Sequence, residues 1–323
     1  MGEYEIRELC DEDADSVLAT FAAAFGRERA RDEWEWAFRQ NPAGRRAFVA
    51  VRDGRVAAQY AGMPARAWAL GEEHVFVQAV DAMVHPEHRR GLQNPGLFVR
   101  TAQACFEACG APGGDAVHYG WPIAPAARVG RRFLDQELVR EELVLVRSIA
   151  SGWRRLPDGV ERLERFDEQA LWLYERCCGE WGASVVRDAA RLSWRYLEHP
   201  RRRYACLGAR DGEGLLRGLA VLREGSWTQA GALPLCEWLV PAGEREVGER
   251  LERAVLAAAA AQGAERVVAL FPDWSPWFGA FQERGWRVHP SPYELVARSF
   301  ERRIDAGWLV AHWWYQLGDS DLV

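Results

Sequence analysis

Apolar positions along the chain fall into alternating runs and helical spacings, in an order that occurs twice. An opening strand, Tyr4–Leu9, leads into the acid-started helix DEDADSVLATFAAAF. A second helix runs up to Asn41-Pro42, where the residue before proline is pushed out of the α region. Two apolar runs around Asp53-Gly54, AFVAVRDGRVAAQYAG, predict a β-hairpin with a type I′ turn. A central strand ending at Val84, a loop, a helix and a short strand ending at Pro122 come next. A short helix and a last strand, Leu138–Arg147, are expected to close the unit. The pattern restarts with a strand over Glu161–Phe166 and the helix DEQALWLYERCCGEW. A helix up to His199-Pro200, the hairpin RYACLGARDGEGLLRGLAV, strands ending at Val240-Pro241 and Pro272, and a closing strand Tyr293–Arg298 complete it.

Four landmarks support a true repeat. Trp36-Ala-Phe38-Arg-Gln-Asn41-Pro42 aligns with Trp194-Arg-Tyr196-Leu-Glu-His199-Pro200 at an offset of 158, and Asp53 and Asp211 share that offset. Asp81-Ala-Met-Val84 aligns with Glu237-Trp-Leu-Val240, and Tyr119-Gly-Trp121-Pro122 with Ala269-Leu-Phe-Pro272. The expected organisation is two tandem units, 1–150 and 160–323, joined through 151–159. Each is an α+β (α/β) unit with a mixed, mainly antiparallel sheet flanked by helices.

Composition narrows the chemistry. Of 323 residues 49% are apolar and 27% charged, which suits globular domains, and the net charge of −6 argues against nucleic acid or an anionic membrane as partner. All 41 basic residues are arginine, so a lysine Schiff base and a P-loop lysine are excluded. Seven cysteines without a CxxC pair predict reduced thiols and a cytoplasmic setting. The acidic start MGEYEIRELCDEDADS is unlike a signal peptide, and no apolar run of membrane-spanning length occurs. His85 and His88 form an H-x-x-H pair with no third ligand evident, so no metal is expected.

The most informative stretch is VHPEHRRGLQNPGLFVRTAQACF, Val84–Phe106, in which a strand gives way to an arginine- and glycine-containing loop and then a helix. Free amides and the positive end of a helix dipole attract a phosphate there. Arg89 and Arg90 add paired contacts, and Asn94 and Pro95 are a natural N-cap and first helical residue. This V-x-P-x-x-R-R-G element, in this order of strands and helices, resembles the GNAT superfamily of N-acyltransferases, with both halves similar to GNAT-fold units. The resemblance implies that the central strand and loop hold acetyl-CoA or another acyl-CoA through Met83, Val84, Arg89, Arg90, Gly91, Gln93, Asn94 and Gly96. The loop is about three residues longer than the family's R-G-x-G form, and Pro95 offers no amide. That leaves the phosphopantetheine of an acyl carrier protein as an alternative donor. After Val240-Pro241 the second copy reads AGEREVGERL, whose Glu244, Glu246 and Glu249 oppose a phosphate. It is expected to be a degenerate scaffold on the acceptor side.

Transfer of an acyl group to an amine requires a base, oxyanion donors and an acid for the departing thiolate. Asp81 stands where the family often places its carboxylate, and the amide of Met83 or Val84 where it places the oxyanion donor. The usual tyrosine acid is missing, since Gly130-Arg131-Arg132 stands there, and Tyr119 is the nearest substitute. The tail AHWWYQLGDSDLV sets Trp314 beside Asp319 and Asp321, a combination suited to an ammonium group. In some tandem relatives the terminal carboxylate reaches the active site, which makes Val323 a candidate. Trp121 and Glu237 complete the expected acceptor-binding set. The expected function is N-acylation of a small-molecule or peptide amine. The alternatives are a carrier-protein-dependent acyltransferase and a non-catalytic GNAT-like ligand-binding module.

Overall fold

The computed structural model describes residues 3–89, 95–150, 155–227 and 229–323. The first copy contains β1 (Glu5–Glu8), α1 (Ala14–Phe25), α2 (Arg31–Phe38), β2 (Arg46–Arg52), β3 (Arg55–Ala69) and β4 (Glu72–Val84). It continues with α3 (Leu97–Cys109), β5 (Val117–Gly120), α4 (Ala124–Phe133) and β6 (Glu137–Ser148). The second contains β7 (Val160–Arg162), α5 (Glu168–Cys178), β8 (Ala183–Val185), α6 (Ala189–Leu192), β9 (Tyr204–Arg210) and β10 (Leu216–Arg223). β11 (Ala232–Leu239), α7 (Arg245–Ala261), β12 (Arg266–Ala269), α8 (Pro276–Glu283) and β13 (Arg287–Ser299) follow, and then α9 (Ala306–His312) and β14 (Trp313–Trp314). Apart from β8, α9 and β14, one succession of elements is thus used twice. The second opening strand is shorter than expected, stopping at Arg162 rather than Phe166.

Local chemistry explains several boundaries. α1 stops because Gly26 adopts φ 68°, a left-handed cap that costs glycine nothing. α5 starts because the Asp167 side chain accepts from the Gln169 amide at 3.0 Å. The first hairpin has the predicted I′ turn, with φ 52° at Asp53 and 72° at Gly54. The second does not. Arg210 pairs with Leu216 across a longer loop, in which Asp211 Oδ1 accepts from the Glu213 and Leu215 amides at 3.0 Å each. Its positive φ falls on Gly214, at 84°, so Asp211-Gly212 forms an Asx-type turn instead.

The chain divides into two compact units. Unit 1 comprises Met1–Arg66, His74–Arg140 and Tyr293–Trp308, and unit 2 comprises Ala67–Glu73, Glu141–Pro292 and Leu309–Val323. In unit 1 the strand order is β1-β2-β3-β4-β5-β13, and in unit 2 it is β7-β9-β10-β11-β12-β6. β4–β5 and β11–β12 are parallel, while β1–β2, β2–β3, β5–β13, β7–β9, β9–β10, β10–β11 and β6–β12 are antiparallel.

The closing strands differ from expectation. Val296–Ser299 of β13 pair with β5, and Leu145–Ser148 of β6 pair with β12, so each unit takes its last strand from the other half of the sequence. Alternation marks both segments as strands, but β5 and β12 end equivalent sheets. Nothing in the local pattern distinguishes the two edges.

Helix burial follows the helical period. α3 turns Leu97, Val99, Ala102, Cys105 and Phe106 inward, where Tyr60, Leu134 and Phe300 meet part of that face. α7 buries Leu251, Ala254, Val255 and Ala258. Each large apolar side chain so buried contributes roughly 1.5–3 kcal/mol. The turn before β5 is tied to β2 by Arg46, whose Nε donates to both Asp115 oxygens at 2.9 Å. All seven cysteines are free. Among the described residues no helix is long and apolar enough to cross a membrane.

Candidate functional site

In unit 1, β4 and β5 pair only over Phe76↔Val117, Val77↔His118 and Gln78↔Tyr119, although β4 continues to Val84. The two parallel strands therefore part company beyond Gln78, and the far end of β4 extends past its partner.

Asp81 sits on this extension with φ 50°, a strained value for a residue within a strand and one that aspartate tolerates better than most. The resulting kink turns its carbonyl toward the buried Gln59, whose Nε2 donates to it at 3.2 Å. The Asp81 carboxylate is ion-paired with Arg29, and both side chains are largely buried. The Arg29 guanidinium in turn lies over the rings of Phe21 and Phe38, 5.6 Å from each centroid. Sequence reasoning missed both Arg29 and Gln59.

Met83 is buried and Val84 half-buried at the end of β4. Arg89 is not left pointing at the loop. Its Nε donates to the Val84 carbonyl and its Nη2 to the Ala24 carbonyl, each at 3.1 Å, tying β4 to the end of α1. Arg90, Gly91, Gln93 and Asn94 lie outside the described residues. α3 begins at Leu97 with Gly96 as its extended N-cap, later than the Asn94-Pro95 start read from the sequence. Gly96 lacks a side chain to cap the helix, and the first turn has no acid, so among the described residues nothing negative occupies the positive end of the dipole.

His85 and His88 do have a third neighbour. One potential ligand atom from each of His85, Glu87 and His88 lies within 4.8 Å of the others, so these residues could hold a metal ion, with Glu87 as the third group that the sequence spacing did not reveal. The 3₁₀ turn Pro86–His88 brings Glu87 back beside the histidines. His88 Nδ1 is hydrogen-bonded to the Tyr4 hydroxyl at 2.9 Å.

Tyr119 is 1% exposed on β5, with Trp121 packed edge-on at 5.7 Å. Asp81, Tyr119 and Trp121 belong to unit 1, whereas Val323, Glu237, Trp314, Asp319 and Asp321 belong to unit 2.

The unit 2 candidates are mostly interior. Glu237 Oε1 accepts from Arg187 Nε at 3.2 Å and from Gln316 Nε2 at 2.6 Å, while Oε2 accepts from the Tyr196 hydroxyl at 3.0 Å. Arg187 Nη2 donates to Asp319 at 2.6 Å. Burial pushes the Glu237 carboxyl up from its usual value, opposed by the Arg187 charge. Burial alone would lower the Arg187 pKa, but Asp319 and Glu237 outweigh it and keep the guanidinium charged. Burial and then Glu237 raise the Tyr196 phenol well above its usual range.

Trp314 is fully buried and stacks on Trp181 at 4.6 Å and 3°. It is therefore core rather than a surface for an ammonium ion, because β14 inserts the tail beside β8. The Val323 carbonyl oxygen is held by Arg195 at 2.7 Å, and Asp321 is exposed with its carbonyl near Arg202.

Glu237 and Arg187 repeat Asp81 and Arg29, at offsets of 156 and 158. At the head of α7 the copies diverge. Glu244 occupies the N-cap, and its carboxylate receives Arg176 at 2.5 Å and Arg217 Nε at 3.1 Å. Burial raises the Glu244 pKa, but the two arginines outweigh this and leave it below the usual value. The head of α7 is thus filled by an internal ion cluster.

The family model for the acetyltransferase (GNAT) domain matches residues 5–132. No curated protein sequence is significantly similar to the chain. Among solved structures, a probable N-acyltransferase from Enterococcus faecalis is similar at 14% identity and a TM-score of 0.65, over 93% of this chain and 73% of that one. A GCN5-related N-acetyltransferase from Anabaena variabilis is similar at 12% identity and a TM-score of 0.66, over 92% and 73%. The Saccharomyces cerevisiae N-myristoyltransferase with bound myristoyl-CoA shares the fold at 9% identity and a TM-score of 0.61, over 92% and 82%. Residues 5–132 thus match the GNAT acetyltransferase domain model, and the fold as a whole is shared with these solved structures.

Proposed function

We propose that the protein transfers an acyl group, acetyl in the simplest case, from coenzyme A to an amine of a small molecule or peptide. The observation carrying this reading is the fork after Gln78 and Tyr119, with the start of α3 beyond β4, acid-free in its first turn and without a side-chain cap among the described residues. A forked parallel pair exposes strand-edge amides to a pantetheine arm, and the helix start suits its pyrophosphate. The amide of Met83 or Val84 would stabilise the oxyanion. Asp81 is the proposed base and Tyr119 the proposed acid. The Arg29 pair and the kink at Asp81 fix the carboxylate's position, while the burial of Tyr119 requires its proton to pass along the fork. Unit 2, whose equivalent helix start is filled by Glu244 and two arginines, is the proposed scaffold without a donor site.

Calorimetry with acetyl-CoA tests the donor. Wild type is expected to bind, and Arg90→Glu to bind on the order of tenfold more weakly or worse, because a repulsive carboxylate replaces a charge-assisted contact. Equal affinities would remove the loop from the site. No binding by wild type would favour an acylated carrier protein as donor.

A further inference from the structure

Unit 2 contains a cleft of about 850 Å³ that the acyl-transfer reading does not use. Its described lining includes Arg147, Arg266, Arg287 and His289 and no acidic residue. In a chain of net charge −6 this is a local reversal of sign. Among the described residues, no hydrogen bond or ion pair engages the guanidinium of Arg147 or of Arg287. Arg266 gives Nη1 to Gln229 at 3.0 Å, and its Nη2 stands 4.0 Å from Glu265, the limit of an ion pair.

Arg266 opens β12 opposite Ala232 on one side and Ser148 on the other, while Arg147 stands opposite Val267 and reaches the cleft from the other face of the strand pair. Gly285, at φ 89° in the turn before β13, leaves the space that Arg147 crosses, since a Cβ there would collide with Arg147 Nη1. The cleft lies at the starting ends of β11 and β12. Glu237 is five residues further along β11, roughly 16 Å away, so the Arg187 network belongs to a different region.

We propose that this cleft binds a phosphate-bearing small molecule of two or more negative charges. Guanidinium forks match phosphate oxygens pairwise and lose little hydration in doing so. The volume falls in the ordinary range for a small-molecule site. Val146, Val268 and Pro290 supply an apolar wall for the rest of the ligand.

Titration with inorganic pyrophosphate at low salt is the test, on wild type, Arg147→Ala/Arg287→Ala, each single glutamine variant, and Arg302→Ala as an exposed control. Wild type should bind, with an affinity that falls as salt rises. Each glutamine variant should weaken binding about tenfold and the double alanine variant about a hundredfold. The control should match wild type, and unfolding midpoints should be unchanged throughout. Absence of binding by wild type, or equal affinity in the double variant, would overturn the proposal.

Discussion

Asp81→Asn is expected to retain the fold and bind acyl-CoA as wild type does, while turnover at neutral pH falls by roughly 10²–10⁴. Asparagine keeps the shape, tolerates the positive φ of 50° at this position, and can still accept a hydrogen bond from Arg29. It cannot take a proton from an ammonium ion. The loss should shrink when a low-pKa amine is supplied already deprotonated, because that substrate needs no base. Steady-state rates for two amines of different pKa give the comparison. Near-wild-type turnover would show that the Asp81–Arg29 pair serves only to hold the kinked strand.

The twin pair in unit 2 predicts the largest change in stability. Arg187→Met keeps the volume of the side chain but leaves Glu237 and Asp319, 3% and 2% exposed, without their cation. Removing one partner from a buried ionic cluster typically costs about 3–5 kcal/mol, which lowers the unfolding midpoint by roughly 10 °C in a unit of this size. The deficit should depend on pH in a definite direction. Burial already raises the Glu237 carboxyl, and losing Arg187 raises it further. A carboxyl whose folded pKa exceeds its unfolded value costs no stability below the unfolded value. It destabilises progressively as pH rises toward the folded one. The variant should therefore be closest to wild type near pH 4 and furthest at neutral pH. Adding Glu237→Gln and Asp319→Asn should recover most of the loss. A pH-independent deficit would mean that packing, not charge, is what Arg187 supplies.

The two pairs also show how much the sequence disclosed. Arg29 and Arg187 share the 158-residue offset of Trp36 and Trp194, a signal within the repeat that went unread because their carboxylate partners are distant in sequence. The order of elements, the I′ turn at Asp53-Gly54 and the strand-loop-helix at Val84 were legible because each is written in local spacing and turn chemistry. The exchange of β6 and β13 was not, since two copies of one sheet offer the same edge to either strand. Trp314 and Asp319 were misread for a related reason. An aromatic-acidic cluster looks alike whether it faces solvent or packs against Trp181 and Arg187, and only tertiary structure distinguishes the cases. Arg89 is intermediate, in the expected loop but bonded to the carbonyls of Val84 and Ala24.

The first copy, and not the second, is proposed to receive the donor. Hydrogen exchange read by mass spectrometry, with and without saturating acetyl-CoA, tests it most directly. The account predicts slowed exchange in the amides from Ala82 to Arg89 and in the first turn of α3 from Leu97. It predicts no change at the head of α7 around Glu246. Protection at α7, or none at β4 and α3 under conditions where acetyl-CoA is bound, would contradict it.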